Sequence, residues 1–133
     1  MNDLAWLIKH RFEEAIRREY DWLFVLDRSV SIGAECLWRL VVDGRIQVTN
    51  RDDGHKFGLP APMDAVSLLK QHLSGAVVDG VDLHEGTLDF EIRFDNACRL
   101  QLVPHSAGYE AWVVYSPDAE YIAHGGGRLA RLP

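Results

Sequence analysis

Leu88-Asp89-Phe90-Glu91-Ile92-Arg93-Phe94-Asp95 alternates apolar and charged residues without a break. In an extended strand this puts Leu88, Phe90, Ile92 and Phe94 on one face and Asp89, Glu91, Arg93 and Asp95 on the other. One face of the sheet is therefore wet. Such a pattern belongs to an antiparallel sheet covered on one side, since a parallel sheet between helices is apolar on both faces.

Working outward, residues 37–49 read as two strands around Asp43-Gly44, a dipeptide that accepts positive φ at both turn positions and matches strand twist. The two regions look alike. Arg45-Ile46-Gln47-Val48 recurs as Arg99-Leu100-Gln101-Leu102, and Trp38, Leu40, Val42 and Asp43 match Phe90, Ile92, Phe94 and Asp95. A helix-like stretch precedes each. Asn2 or Asp3 caps an expected first helix with Leu4, Ile8, Phe12 and Ile16 spaced by four and Leu7 and Ala15 widening the stripe. Tyr20-Asp21 ends it, and Trp22 to Leu26 is short and apolar enough for a buried strand. A second helix is expected over 63–73, with Val66, Leu69 and Leu73 inward and Gly75 as terminator.

Further strands are expected at 56–59, 109–115, 121–123 and 128–132, the last two separated by Gly125-Gly126-Gly127. The expectation is an α+β fold: two pseudo-repeated helix-plus-antiparallel-meander units, residues 1–61 and 62–133, forming the single domain 1–133. Its sheet would carry helices on one face or close partly into a barrel. Two copies of such a unit make a closed pair, not a solenoid.

The chain has 133 residues, 47% of them hydrophobic and 26% charged, the composition of an ordered globular domain. Fourteen basic against twenty acidic residues give a formal charge of −6, which argues against nucleic acid and anionic membranes as partners. The amino terminus lacks the uninterrupted apolar core of a signal peptide, and no run approaches the roughly 20 apolar residues that span a bilayer. A cytoplasmic protein is expected. Cys36 and Cys98 read as buried reduced thiols, and two cysteines alone make no zinc site.

No motif specifies a reaction, and neither a cofactor nor a metal is expected. His124-Gly125-Gly126-Gly127 looks like an oxyanion-hole loop, but the Gly-x-Ser-x-Gly elbow that accompanies one is missing, so a flexible turn is the plainer reading. Asp52-Asp53-Gly54-His55 lacks the spaced carboxylates and closing glutamate of a calcium loop. In Tyr109-Glu110-Ala111-Trp112, alternation sends Glu110 and Trp112 to one side. A tryptophan beside an acid on an outer face makes a partner anchor; under a helix or the glycine turn it would be core.

That strand follows the 88–102 hairpin and precedes the late glycine turn. In this the chain resembles a family of small uncharacterised bacterial proteins with a Tyr-Glu-Ala-Trp-like strand and Gly-Gly near the end, over roughly residues 73–132. Such families resemble the immunity proteins of bacterial toxin systems. The resemblance implies a class and assigns no residue a role. The expected function is a non-enzymatic protein-binding module, immunity-like, engaging a protein partner of basic character through Asp89, Glu91, Glu110 and Trp112. Self-association through strand edges is the other partner expectation. The alternative is a small-molecule-binding protein or hydrolase with a pocket between the two halves, near His105 and His124.

Overall fold

The computed structural model describes residues 3–133, which form eleven strands, one α-helix and a short 3-10 turn at Ala5–Leu7. In chain order the strands are β1 Phe12–Arg17, β2 Trp22–Leu26, β3 Ser31–Ala34, β4 Leu37–Val42 and β5 Arg45–Thr49, then the helix α1 Ala65–Leu73. There follow β6 Val78–Leu83, β7 Phe90–Phe94, β8 Cys98–Val103, β9 Trp112–Tyr115, β10 Glu120–His124 and β11 Arg128–Leu132. They build two antiparallel sheets, of order β1-β2-β3-β9-β10-β11 and β5-β4-β8-β7-β6.

One hydrophobic core lies between the sheets. Aromatic side chains cross it: Trp22 and Phe24 of β2 meet Trp38 of β4 with ring centroids 5.0 and 5.5 Å apart, Phe90 of β7 meets Trp112 of β9 at 4.9 Å, and Phe12 of β1 meets Phe94 of β7 at 6.1 Å. Such pairs add to the burial of their large apolar area. α1 packs against β1 and β5, each an edge strand of its sheet. Asp64 caps this helix, its carboxylate accepting from the Ser67 N–H at 3.1 Å.

The described residues form a β-rich fold with no closed barrel, which replaces the expected pair of helix-plus-meander units. The first expected helix is absent from the described residues, which exclude Asn2. Lys9 has φ 80, a left-handed conformation that ends any helical path, and residues 12–17 are strand. The misleading signal has a physical origin. A register shift between Phe12 and Glu14 places a bulge in β1, so Phe12 and Ala15 both face the core although they are three residues apart. A bulged strand thus imitates helical spacing. Ile8 and Ile16, which the four-residue period sends inward, are each 39% exposed.

The order in which the chain visits the sheets also argues against two equivalent units. Residues before α1 build β1 to β3 of the six-stranded sheet and then β4 and β5 of the other; those after it build β6 to β8 first and β9 to β11 last. A tandem duplication would keep one order. The sequence likeness falls instead on two hairpins of one sheet, β4-β5 and β7-β8, whose inner strands β4 and β8 pair directly. Asp43-Gly44 forms the expected turn, with φ 51 and 80. The expected strand at 56–59 is a loop in which Phe57 and Gly58 take φ 47 and 78.

Candidate functional site

The outer face of the five-stranded sheet is laid out by the strand register. Arg39, Gln101, Glu91 and Asp82 form one row across β4, β8, β7 and β6. Arg99 and Arg93 stand in the next row, which ends at Gly80. On β8 and β7 the residues between, Leu100, Leu102, Phe90 and Ile92, are buried in the core. Here the alternation of the sequence becomes a wet face above a dry one.

Charges on this face are interlocked. Arg93 donates to Asp82 and, at 3.4 Å, to Glu91. Arg99 reaches Glu91 at 3.5 Å, and Gln101 Nε2 donates to Glu91 Oε1 at 2.7 Å. The Arg93 guanidinium lies so close over β6 that a Cβ on Gly80 would stand 2.7 Å from its Nε. A glycine there admits the side chain. Partial burial works to lower the Arg93 pKa, yet the bonds to Asp82 and Glu91 outweigh it and raise the pKa.

Beside this network a cleft of about 770 Å³ opens between β4, β8, β7 and the 84–89 loop, with Arg39, Asp82, His84, Glu85, Asp89 and Glu91 among its lining residues. Asp82, His84 and Glu85 are exposed at its rim. Arg39 forms no ion pair among the described residues, and its Nε is shielded from solvent without an acceptor. Gln101 Oε1 is likewise shielded and accepts from no group of the described residues.

The wall formed by the 84–89 loop is held from behind. Trp112 Nε1 donates to the Leu88 carbonyl at 3.0 Å, and Leu88 itself takes φ 62. A Cβ on Gly127 would overlap the Gly86 carbonyl oxygen and stand 2.7 Å from its carbon; one on Gly125 would stand 2.7 Å from the Cα of Gly108. The late glycines therefore permit backbone-to-backbone contact among three loops, a use of glycine different from turn flexibility. Ser106, beside them, accepts from the N–H groups of Gly108 and Tyr109 at 3.0 and 2.9 Å. Its hydroxyl oxygen thus holds the loop as an acceptor.

The four residues expected to form a partner surface are divided by the fold. Asp89 and Glu91 line the cleft together. Glu110 does not; it borders two smaller hollows, with Asp21 and Glu35 in one and His105 and Ser106 in the other, and lies 3.9 Å from His124 Nδ1. Trp112 is 1% exposed, within the core. Ala111 beside it is buried as well and the strand begins only at Trp112, so simple alternation does not extend back to Glu110. The cleft is lined from both halves of the chain, by Arg39 of the first and Asp82 to Val103 of the second, but His105 lies in one of the smaller hollows, with Glu35 and Cys36. In the sequence Arg39, Asp82 and Gln101 read only as outward residues of alternating strands, and nothing local shows that β4 and β8 pair.

Other candidate groups are occupied structurally. Asp52 accepts from the Thr49 N–H, and Asp53 accepts from the Ala65 N–H and pairs with Arg17. Cys36 and Cys98 are free and buried, and burial pushes the Cys36 thiol up to about 12. No group of three or more His, Cys, Asp or Glu suited to a metal occurs among the described residues. No helix of the described residues is long and apolar enough to cross a membrane.

A protein-family model matches residues 23–132. The chain belongs to DUF6188, a family of unknown function. The match takes in every residue lining the cleft and both of the loops that brace it. No curated protein and no solved structure matches the chain.

Proposed function

We propose that this DUF6188 member is a non-enzymatic protein-binding module of the bacterial immunity type, acting in the cytoplasm and engaging a basic partner through the outer face of its five-stranded sheet. The observation that carries this reading is the cleft bounded by Asp82, Glu85 and Asp89 on a face that no helix or strand of the described residues covers. The net charge of −6 steers a cationic partner toward the molecule, and charged rims set the rate and specificity of encounter. Glu110 is outside this surface, and Trp112 serves it from within by holding Leu88.

Co-expression with the product of the neighbouring gene, followed by gel filtration, tests the reading. A stoichiometric complex is expected, lost in the triple variant Asp82→Asn, Glu85→Gln, Asp89→Asn while the melting temperature holds. An equally tight complex in that variant would remove the face from consideration. A second reading, a small-molecule site, draws on the cleft volume of about 770 Å³, which lies within the usual range for ligand pockets. Saturable thermal stabilisation by a metabolite would favour it over a protein partner.

A further inference from the structure

β11 ends the six-stranded sheet, and among the described residues its only strand partner is β10. The ladder fixes which of its backbone groups are open. Ser116 N–H donates to the Ala119 carbonyl and Ala111 N–H to the Ala123 carbonyl, both at 3.0 Å, so Tyr121 and Ala123 direct their backbone groups to β9. The alternate residues Glu120, Ile122 and His124 then face β11, where their partners are Leu132, Ala130 and Arg128. Leu129 and Arg131 are left with N–H and C=O groups pointing away from the sheet. Such a row is a template for another strand.

We propose that a second copy of this chain covers this edge, β11 lying antiparallel to β11 about a two-fold axis at Ala130. The same patch then serves both copies, as a two-fold interface requires. This register pairs Leu129 with Arg131 of the second copy twice, giving four backbone bonds. It sets Ala130 opposite Ala130 at the non-hydrogen-bonded position, where strands approach most closely and a small side chain fits. Neighbouring registers fail. An axis at Arg131 puts two like charges directly opposite each other, which destabilises a pair. An axis at Leu129 draws Gly127 into the strand, but Gly127 has φ 82 and packs against the Gly86 carbonyl.

Charge selects the same arrangement. Glu120 and Arg128 form no ion pair among the described residues. Glu120 is the register partner of Leu132, and the two-fold sets Leu132 opposite Arg128 of the second copy. Acid and base thus stand in one row two strand spacings apart, about 10 Å, and their side chains can meet across the leucine. Leu132, 48% exposed, is covered by that contact. Arg131 leaves the seam clear, since its guanidinium lies over the Tyr121 ring at 5.8 Å and its Nε is 3.3 Å from the Tyr121 hydroxyl. The contact lies on the other sheet from the cleft and does not rest on the reading of the acidic face.

Sedimentation of the full chain over a dilution series reaching about 1 mM, the weak end of specific association, tests the inference. Wild type should pass from monomer to dimer. Arg131→Pro removes an N–H that faces away from β10, a substitution an edge strand tolerates, and takes away two of the four bonds between copies. It should stay monomeric with a melting temperature near that of wild type. Arg128→Glu and Glu120→Arg each set like charges across the seam and should weaken the dimer about five-fold, the size expected for two exposed ion pairs. Mixed in equal amounts, these two variants should associate as tightly as wild type, because each row again holds one acid and one base; the mixture decides the matter if Arg131→Pro does not fold. A wild-type chain that stays monomeric overturns the inference and leaves the edge to an extended strand of another protein. A dimer unchanged in Arg131→Pro, or a mixture no tighter than its components, overturns it as well.

Discussion

Gly125, Gly126 and Gly127 separate two physical demands that glycine can meet, so alanine at each position gives a different expected cost. Gly126 has φ 81, and a Cβ there would meet only the Ala107 oxygen at 3.5 Å. Its substitution adds left-handed strain alone, about 1 kcal/mol. Gly127 has nearly the same φ, 82, but its Cβ would overlap the Gly86 carbonyl. Overpacking against backbone adds about 1–3 kcal/mol to the same strain, for a total of about 3 kcal/mol. Gly125 lacks positive φ and meets Gly108 backbone, so its cost is the overpacking part, about 2 kcal/mol. Urea unfolding measures the three differences, and for a domain of this length each kcal/mol lowers Tm by about 4 °C. Amide exchange at residues 84–89 should accelerate in Gly127→Ala and stay near wild type in Gly126→Ala. Equal losses at all three positions would refute the close-approach account and restore a merely flexible turn.

Trp112→Phe keeps an aromatic ring against Phe90 but leaves the Leu88 carbonyl without its indole donor; an expected loss of about 1–3 kcal/mol is checked by denaturant unfolding. Asp64→Ala should cost about 1 kcal/mol at neutral pH as a lost helix cap. The Ser67 N–H and hydroxyl hold the Asp64 carboxyl below its ordinary range, so its contribution is complete above the unfolded pKa near 3.9 and disappears as pH falls through the lower folded value. Stability of wild type and variant should therefore converge toward pH 2, about two pH units below the ordinary carboxyl value. Cys36, with its thiol at about 12, should resist a thiol reagent at pH 8 in the folded protein and react once urea exposes it; rapid labelling of the native state would contradict its burial.

The parts of this fold legible in the sequence are those set by neighbours along the chain. Asp43-Gly44 announces a turn, and the alternation from Leu88 announces a strand with one wet face, because both depend on local backbone geometry. β1 was hidden by its bulge, which spaces Phe12 and Ala15 as a helix would. Of the two readings of Trp112 the structure holds the core one: the strand begins at that residue and Ala111 before it is also buried, so alternation carried back to Glu110 does not set its side. The cleft is half visible: Asp89 and Glu91 belong to a readable strand, but Arg39 meets Gln101 only through β4-β8 pairing across sixty-one intervening positions. Long-range register of that kind leaves no mark in a window of sequence.

Hydrogen exchange on the complex with the neighbouring gene product tests the central claim most directly. The account predicts protection concentrated in residues 82–91 and 99–103, around Asp82, Asp89 and Gln101, with α1 unchanged. Protection confined to the six-stranded sheet around Glu110, with the cleft residues exchanging as in the free chain, would contradict it.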